Sequence, residues 1–268
     1  MNQENNFLHH SPCESCGSKD NLGVYEDHTY CFGCHDYKKT NGDLPQKPKI
    51  ITDMIEGTTE ALPNRKIDEE TCKKFSYQTG TYNGEPVHIA NFFDKNYNQV
   101  AQKLRFQNKK FTWLGDADKI TLFGQNLWRD GGRMVIITEG ELDALSVSKV
   151  QNNKYPVVSV PSGATSAKKY IKKELEWLSK FDSIVLMFDE DEAGKQAVIE
   201  CANILPVKKV KIASLPAKDP SDLLQSGKGE LIVQSMWEAK AYTPQGIIKG
   251  NETKDLLLKD DLVETVPY

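Results

Sequence analysis

The chain has 268 residues, 38% hydrophobic and 27% charged, with a formal net charge of −4. That is enough chain for a sizeable core in two or more modules, and no run approaches the ~18 apolar residues of a membrane span. The start "MNQENNFLHH" has no basic segment followed by an apolar one, so a cytoplasmic protein is expected, and the negative balance argues against non-specific coating of nucleic acid while leaving room for a local basic track.

Residues 1–40 form a small Cys/His-rich unit, too short to build a core by burial alone. In "CESCGSKDNLGVYEDHTYCFGC", Cys13 and Cys16 make one CxxC and Cys31 and Cys34 another, with fourteen residues between the pairs. Two such knuckles let four thiolates converge tetrahedrally on one Zn²⁺, whose binding supplies the missing folding free energy. Paired disulfides or a redox CxxC fit poorly in a reducing compartment. His9, His10, His28 and His35 lie nearby, but four cysteines already fill the tetrahedron. Such a zinc is structural, so function rests on displayed side chains. Tyr25, Glu26, Asp27, His28 and Tyr30 suit unpaired bases by stacking and hydrogen bonding, or form an ordinary solvated hairpin. Cys72 and Cys201 sit alone in helical patterns and read as inert core residues.

Residues 41–60, with "TNGDLPQKPKI" rich in Pro, Gly and Lys, read as a flexible linker. Residues 61–132 are mixed α+β. "DEETCKKF" is a short helix capped by Asp68, followed by strand-like "PVHIANFF", "QVAQKLRF" and "KFTWL". In "AQKLRFQNKKFTW", Lys103, Arg105, Lys109 and Lys110 interleave with Phe106, Phe111 and Trp113 and no acid. Lys103 and Arg105 share a strand face, as a phosphate-binding track or a solvated basic hairpin would require.

From 133 to 243 the rhythm is β-α. "MVIIT", "PVVSV", "SIVLMF" and "KVKIASL" are buried strands. They alternate with helices in "LDALSVSKV", "SAKKYIKKELEWLSKF", "EAGKQAVIECANIL" and "ELIVQSMWEA", which implies βαβ units around a parallel sheet. Residues 244–268 end in a short amphipathic helix without its own core and read as a connector or docking segment.

Ligands of an open parallel sheet bind beyond the carboxyl ends of its strands. Three such ends carry acids: Glu139, Glu141 and Asp143; Asp189 and Asp191; Asp219 and Asp222. So many carboxylates on one edge repel unless cations sit among them, and hard oxygen ligands suit Mg²⁺ or Mn²⁺. Sites of this kind catalyse nucleotidyl transfer or phosphodiester cleavage. Asp143, Glu190, Glu192 and Asp222 fit the ordinary role of an acid at a helix start. Glu139, Asp189 and Asp191 fit it less well, since they precede the helix.

"ITEGELDAL" followed by "MFDEDEAGKQA" resembles the Toprim signature, a Glu after one strand and a DxD after a later one. With the four-cysteine unit and "AKDPSD", residues 9 to 250 resemble the primase half of bifunctional phage T7-type primase–helicases, relatives of DnaG and Twinkle. The resemblance implies a zinc ribbon, a mixed α+β module and a fused Toprim domain that together make RNA primers. It implies a single-stranded DNA template, ribonucleoside triphosphates, a DNA polymerase and a replicative helicase as partners, and no membrane. It assigns Glu139 as general base or metal ligand, Asp189 and Asp191 as the metal pair, and Asp219 as a further metal acid, with Asp143 a less defined position. It gives nucleotide binding to Lys103 and Lys109 and template recognition to His28. No GxxxxGK[ST] occurs, so no helicase motor is expected within this chain. The rival classes are a RecR-type zinc/Toprim recombination mediator and a Toprim nuclease.

Overall fold

The computed structural model describes residues 7–39 and 53–244, which divide into two compact units, Met1–Thr52 and Asp53–Tyr268. The expected linker residues 41–52 and the expected amphipathic helix near the C-terminus lie outside the described residues. Among the described residues no helix is long and apolar enough to cross a membrane.

The first unit is a four-stranded antiparallel sheet in sequence order: β1 (Phe7–Ser11), β2 (Leu22–Tyr25), β3 (His28–Cys31) and β4 (Tyr37–Lys39). Its buried apolar residues are few, Cys13, Val24 and Cys31, which is why burial cannot stabilise it unaided. The two CxxC knuckles are closed by backbone bonds from Gly17 N to Cys13 O and from His35 N to Cys31 O.

The second unit starts with residues 53–60, which the sequence places in the flexible linker and which instead lie along a sheet, held by backbone and side-chain bonds. Gln102 clasps the Ile55 backbone on both sides, accepting from its N–H at 2.8 Å and donating to its carbonyl at 2.9 Å, while Thr58 bridges Thr79. Helix α1 (Glu69–Lys74) begins where Asp68 accepts from Thr71 N, with two acids in its first turn and two lysines in its last. An antiparallel meander follows: β5 (Tyr77–Tyr82), β6 (Glu85–Phe93), β7 (Gln99–Phe106) and β8 (Phe111–Gly115). Strand β5 carries two central threonines and a glycine, and no run of large apolar residues marks it in the sequence. Asn83 and Gly84, both left-handed, make the tight turn into β6.

The remaining elements are β9 (Gly132–Thr138), α2 (Glu141–Val150), β10 (Val157–Ser159), α3 (Ala164–Lys173), α4 (Leu175–Ser179), β11 (Phe181–Met187), α5 (Glu192–Ala202), β12 (Val210–Ile212), α6 (Pro220–Gln225), α7 (Gly229–Trp237) and β13 (Lys240–Ala241). The sheet order is β10-β9-β11-β12-β13, parallel except for the antiparallel edge strand β13. Both faces of β9 and β11 are covered. Ile136, Val185 and Met187 pack into one core with α1, α2, α6 and α7, and Val135, Ile137, Ile184 and Leu186 into another with α3 and α5. Burial on both sides explains the continuous apolar runs in these strands.

Three elements depart from expectation. The helix anticipated across Ser166–Phe181 is two helices, broken at Glu174, a buried side chain whose Oε2 accepts from Gln125 Nε2 at 3.0 Å. Strand β12 stops at Ile212, well short of the anticipated run to Leu215. A short helix, α6, opens inside "AKDPSD", with Pro220 at its first position.

Candidate active site

Three strand-to-helix junctions build one edge of the parallel sheet. After β9 the chain passes Glu139 and Gly140 into α2. After β11 it passes Asp189 and Asp191 into α5, and beyond β12 it loops to Asp219 and α6. The parallel register of β9 with β11, pairing Thr138 with Met187, sets the first two junctions side by side.

Glu139 is half-buried. Its Oε1 accepts from Ala164 N at 3.2 Å, at the first residue of α3, and its Oε2 is buried without a hydrogen-bond partner. Burial pushes its carboxyl up from the usual range, and the Asp191 charge pushes the same way. Asp189 is raised to about 7, first by burial and then by Glu139 and Asp219. Asp143, buried on α2, is pushed well above the usual carboxylate range by desolvation and by Asp219 and Asp189, although its Oδ1 accepts from Ser221 N at 3.2 Å.

Asp191 and Asp219 are both helix caps. Asp191 Oδ1 accepts from Gly194 N at 3.0 Å, and Asp219 Oδ1 accepts from Asp222 N at 2.7 Å. The reading that Asp191 fits a capping role poorly is therefore corrected: one oxygen caps α5. Its Oδ2 faces Lys218 Nζ at 3.8 Å. Gly194 is required here, because a Cβ would come within 2.1 Å of the Asp189 carbonyl oxygen. Glu190, anticipated on a solvated face, instead accepts from Leu215 N at 2.7 Å and from Ser214 Oγ at 3.2 Å, tying the β12–α6 loop to the β11 end. Glu192 is an exposed first-turn residue of α5.

The basic hairpin is placed differently from a uniform phosphate track. Lys103 is only 8% exposed, and its Nζ donates to Glu141 Oε1 and to Pro161 O, each at 2.8 Å. Arg105 is partly exposed, with its guanidinium 5.6 Å from the Phe111 ring. Lys109 is exposed at the left-handed position of the β7–β8 turn, beside exposed Lys110. Sequence reasoning also missed Lys218, the cation facing both Asp189 and Asp191. Its only signal is a basic residue immediately before Asp219.

In the first unit all four cysteine sulfurs lie within 4.8 Å of one another, with Cys13–Cys34 and Cys16–Cys31 separations of 3.7 Å. Ligands bonded at about 2.3 Å in a tetrahedron stand roughly 3.8 Å apart, so the cluster has the dimensions of a four-thiolate metal site. Crowding splits the thiols: the N–H groups of Cys34 and Gly33 hold Cys31 down at about 7, while Cys34, despite the Asp36 N–H that lowers it, is pushed up to about 12 by the neighbouring sulfurs. His28 is tucked in. Its ring stacks 4.4 Å from Tyr25 and 5.0 Å from Tyr37, and its Nδ1 meets Asp27 Oδ1 at 2.7 Å. The ring faces anticipated for bases are thus occupied by tyrosines, while Tyr37 and Phe32 are each more than half exposed.

The carboxylates fit a divalent cation chemically. They are hard oxygen donors that raise one another's pKa values, and they include an orphaned buried oxygen on Glu139. They are spread more widely than the thiols. Among the described residues only the cysteines bring three or more candidate ligand atoms within 4.8 Å of each other.

Two family models match the chain: the N-terminal α+β fold of bacteriophage T7 DNA helicase/primase over residues 57–115, and a Toprim-like domain over residues 136–224. The chain is 36% identical over 265 residues to a DNA helicase/primase of Enterobacteria phage T3, covering 93% of itself and 47% of that protein. It therefore spans about half the length of the curated relative it matches. Against the crystal structure of the primase fragment of the bacteriophage T7 primase-helicase, it has 38% identity and a TM-score of 0.66, over 86% of this chain and all of that one. Primase domains bound to an RNA/DNA hybrid and dTTP, in a complex with T7 lagging-strand DNA polymerase, match at 41% identity and a TM-score of 0.66, over 69% of this chain and 94% of that one. With a four-cysteine ribbon, an α+β meander and a Toprim sheet in that order, the chain belongs to the T7-type helicase/primase family and corresponds to its primase fragment.

Proposed function

We propose that this chain is a DNA primase that condenses ribonucleoside triphosphates into short RNA primers on a single-stranded DNA template. The observation that carries this is the acidic edge, where Glu139, Asp189, Asp191 and Asp219 meet at three strand-to-helix junctions in a chain of helicase/primase kinship. Glu139, Asp189, Asp191 and Asp219 would hold Mg²⁺ or Mn²⁺, with Asp143 behind them. Such a cation supplies charge neutralisation for triphosphate and leaving group when bound. The Glu139 carboxyl, which burial raises above the usual range, is the group suited to take the proton of an attacking 3′-hydroxyl. Arg105 and Lys109, on the β7–β8 hairpin, are available to the triphosphate.

In the ribbon, Cys13, Cys16, Cys31 and Cys34 would hold Zn²⁺. His28 supports the two tyrosines, and Tyr37 and Phe32 offer exposed rings to template bases. The working organisation is ribbon 1–40, a linker ending at Thr52, an α+β module from Asp53 to 132, Toprim domain 133–243 and connector 244–268. A replicative helicase and a DNA polymerase are the partners, in the host cytoplasm.

The test is primer synthesis from ribonucleoside triphosphates on single-stranded DNA with Mg²⁺ or Mn²⁺. Synthesis is expected, and is abolished by Glu139→Gln and by Asp189→Asn. Cleavage of DNA without synthesis would point to a nuclease, and synthesis that survives both changes would remove the site assignment.

A further inference from the structure

The Lys103 ammonium is buried at the join between the meander and the parallel-sheet domain. Its three donors are accounted for: Glu141 Oε1 at 2.8 Å, Pro161 O at 2.8 Å and the Phe111 ring, whose centroid is 4.6 Å away. Glu141 is 6% exposed, so both charges are withdrawn from water. A buried ion pair is a poor way to gain stability, since an apolar pair of similar volume commonly does as well. What this pair does supply is a fixed geometry linking three segments. Lys103 lies on β7, Glu141 in the first turn of α2, and Pro161 in the loop between β10 and α3.

Two of those segments hold Glu139. Glu141 lies two residues after it, across Gly140, in the same strand-to-helix junction. Pro161 lies three residues before Ala164, whose N–H is the hydrogen-bond donor to Glu139 Oε1, with left-handed Gly163 between them. One ammonium therefore pins both the backbone that carries Glu139 and the loop that orients its carboxylate.

We infer that Lys103 and Glu141 are positioning residues for Glu139, acting as a clasp across the two sheets, and that Lys103 does not itself hold the triphosphate. The inference rests on the primase reading for Glu139.

The experiment uses the full zinc-loaded chain and the double variant Lys103→Met/Glu141→Leu, which replaces the pair by apolar side chains of similar volume. The expected Tm stays within a few degrees of the parent, because the pair contributes geometry more than stability. The expected kcat for primer synthesis falls by about tenfold or more, while KM for nucleotide changes by less than about threefold. In the zinc-loaded chain without added Mg²⁺ or Mn²⁺, hydrogen exchange at the Ala164 amide rises by about tenfold as the Pro161 loop is released. Glu141→Gln, which keeps an oxygen acceptor for Lys103, retains kcat within about threefold of the parent and serves if the double variant does not fold. An unchanged kcat and unchanged Ala164 exchange in the double variant would overturn the clasp. A large rise in KM with kcat unaltered would show Lys103 to be a triphosphate ligand instead. A parent chain that makes no primers would overturn the primase reading, and the Ala164 exchange would still decide the clasp.

Discussion

Lys218 Nζ stands 3.6 Å from Asp189 Oδ2 and reaches Asp191 Oδ2 at 3.8 Å, so a lysine from the β12–α6 loop faces both acids of the DxD. The ammonium's own pKa is raised, chiefly by Asp189. It offsets part of the repulsion on this edge, and Asp189 nevertheless titrates at about 7.

That displaced titration predicts a pH signature. The folded state holds the Asp189 proton more tightly than the unfolded chain, where the carboxyl has its ordinary value of 3.8. Ionising it in the fold costs stability, so stability is intact below about pH 4 and declines as pH rises toward about 7. Burial of Glu139 and Asp143 acts in the same direction. Asp189→Asn should therefore melt higher than the parent at about pH 8 without divalent metal, with the gap closing toward pH 4. All four tryptophans, Trp113, Trp128, Trp177 and Trp237, lie in the second unit, so their fluorescence reports its melting separately from the ribbon. A gap that stays constant across this range would rule the account out.

Asp191 caps α5, and on the proposed function it also holds the cation, so the two roles can be separated. Asparagine caps a helix about as well as aspartate, whereas alanine loses about 1 kcal/mol. Asp191→Asn should keep the parent Tm and Asp191→Ala should lower it, while both weaken Mg²⁺ or Mn²⁺ binding and primer synthesis alike. Thermal melting set beside metal titration separates the cap from the ligand.

Gly194 lies against the Asp189 backbone with no room for a side chain, a Cβ falling 2.1 Å from the carbonyl oxygen. Gly194→Ala should cost about 1–3 kcal/mol by overpacking and move Asp189 away from Glu139. Denaturant unfolding measures the first effect. Loss of metal-dependent stabilisation measures the second.

Removing the ribbon's metal should separate recognition from chemistry. Cys13→Ser, or a zinc-selective chelator in excess Mg²⁺, should release zinc and abolish template-directed synthesis. The tryptophan-monitored melting of the second unit should stay at its parent value, and Mg²⁺ binding at the carboxylates should persist. Elemental analysis and melting check the two halves of this expectation.

The parts of the site legible in the sequence are those written locally. Two CxxC pairs can be read as one four-thiolate cluster because ligand spacing follows from the tight turn each pair makes. Glu139 and the Asp189/Asp191 pair can be read because an apolar strand ending in acids describes a junction without reference to the rest of the chain. The break at Glu174 was not legible, since the helical pattern continues through it and only tertiary contacts, with Gln125 and Lys95, mark the site. Glu190 looked like a solvated neighbour of two ligands, because the loop it accepts from is 25 residues away.

Lys103 shows the division most clearly. Its period-two relation to Arg105 is a local property of a strand, and it correctly puts both on one face. Which part of that face meets solvent depends on what lies over it. Here α2 and the Pro161 loop cover Lys103, while Arg105, two residues on, remains partly exposed. His28 makes the same point in the ribbon, where neighbouring strands bring Tyr25 and Tyr37 onto its two faces. The residues by themselves determined the modules, the thiolate cluster and the acidic strand ends, because these depend on spacing and burial pattern along a few consecutive residues. Only the tertiary structure decided which charges are spent inside the molecule and which are left for a ligand, because pairing and desolvation arise between segments far apart in the chain.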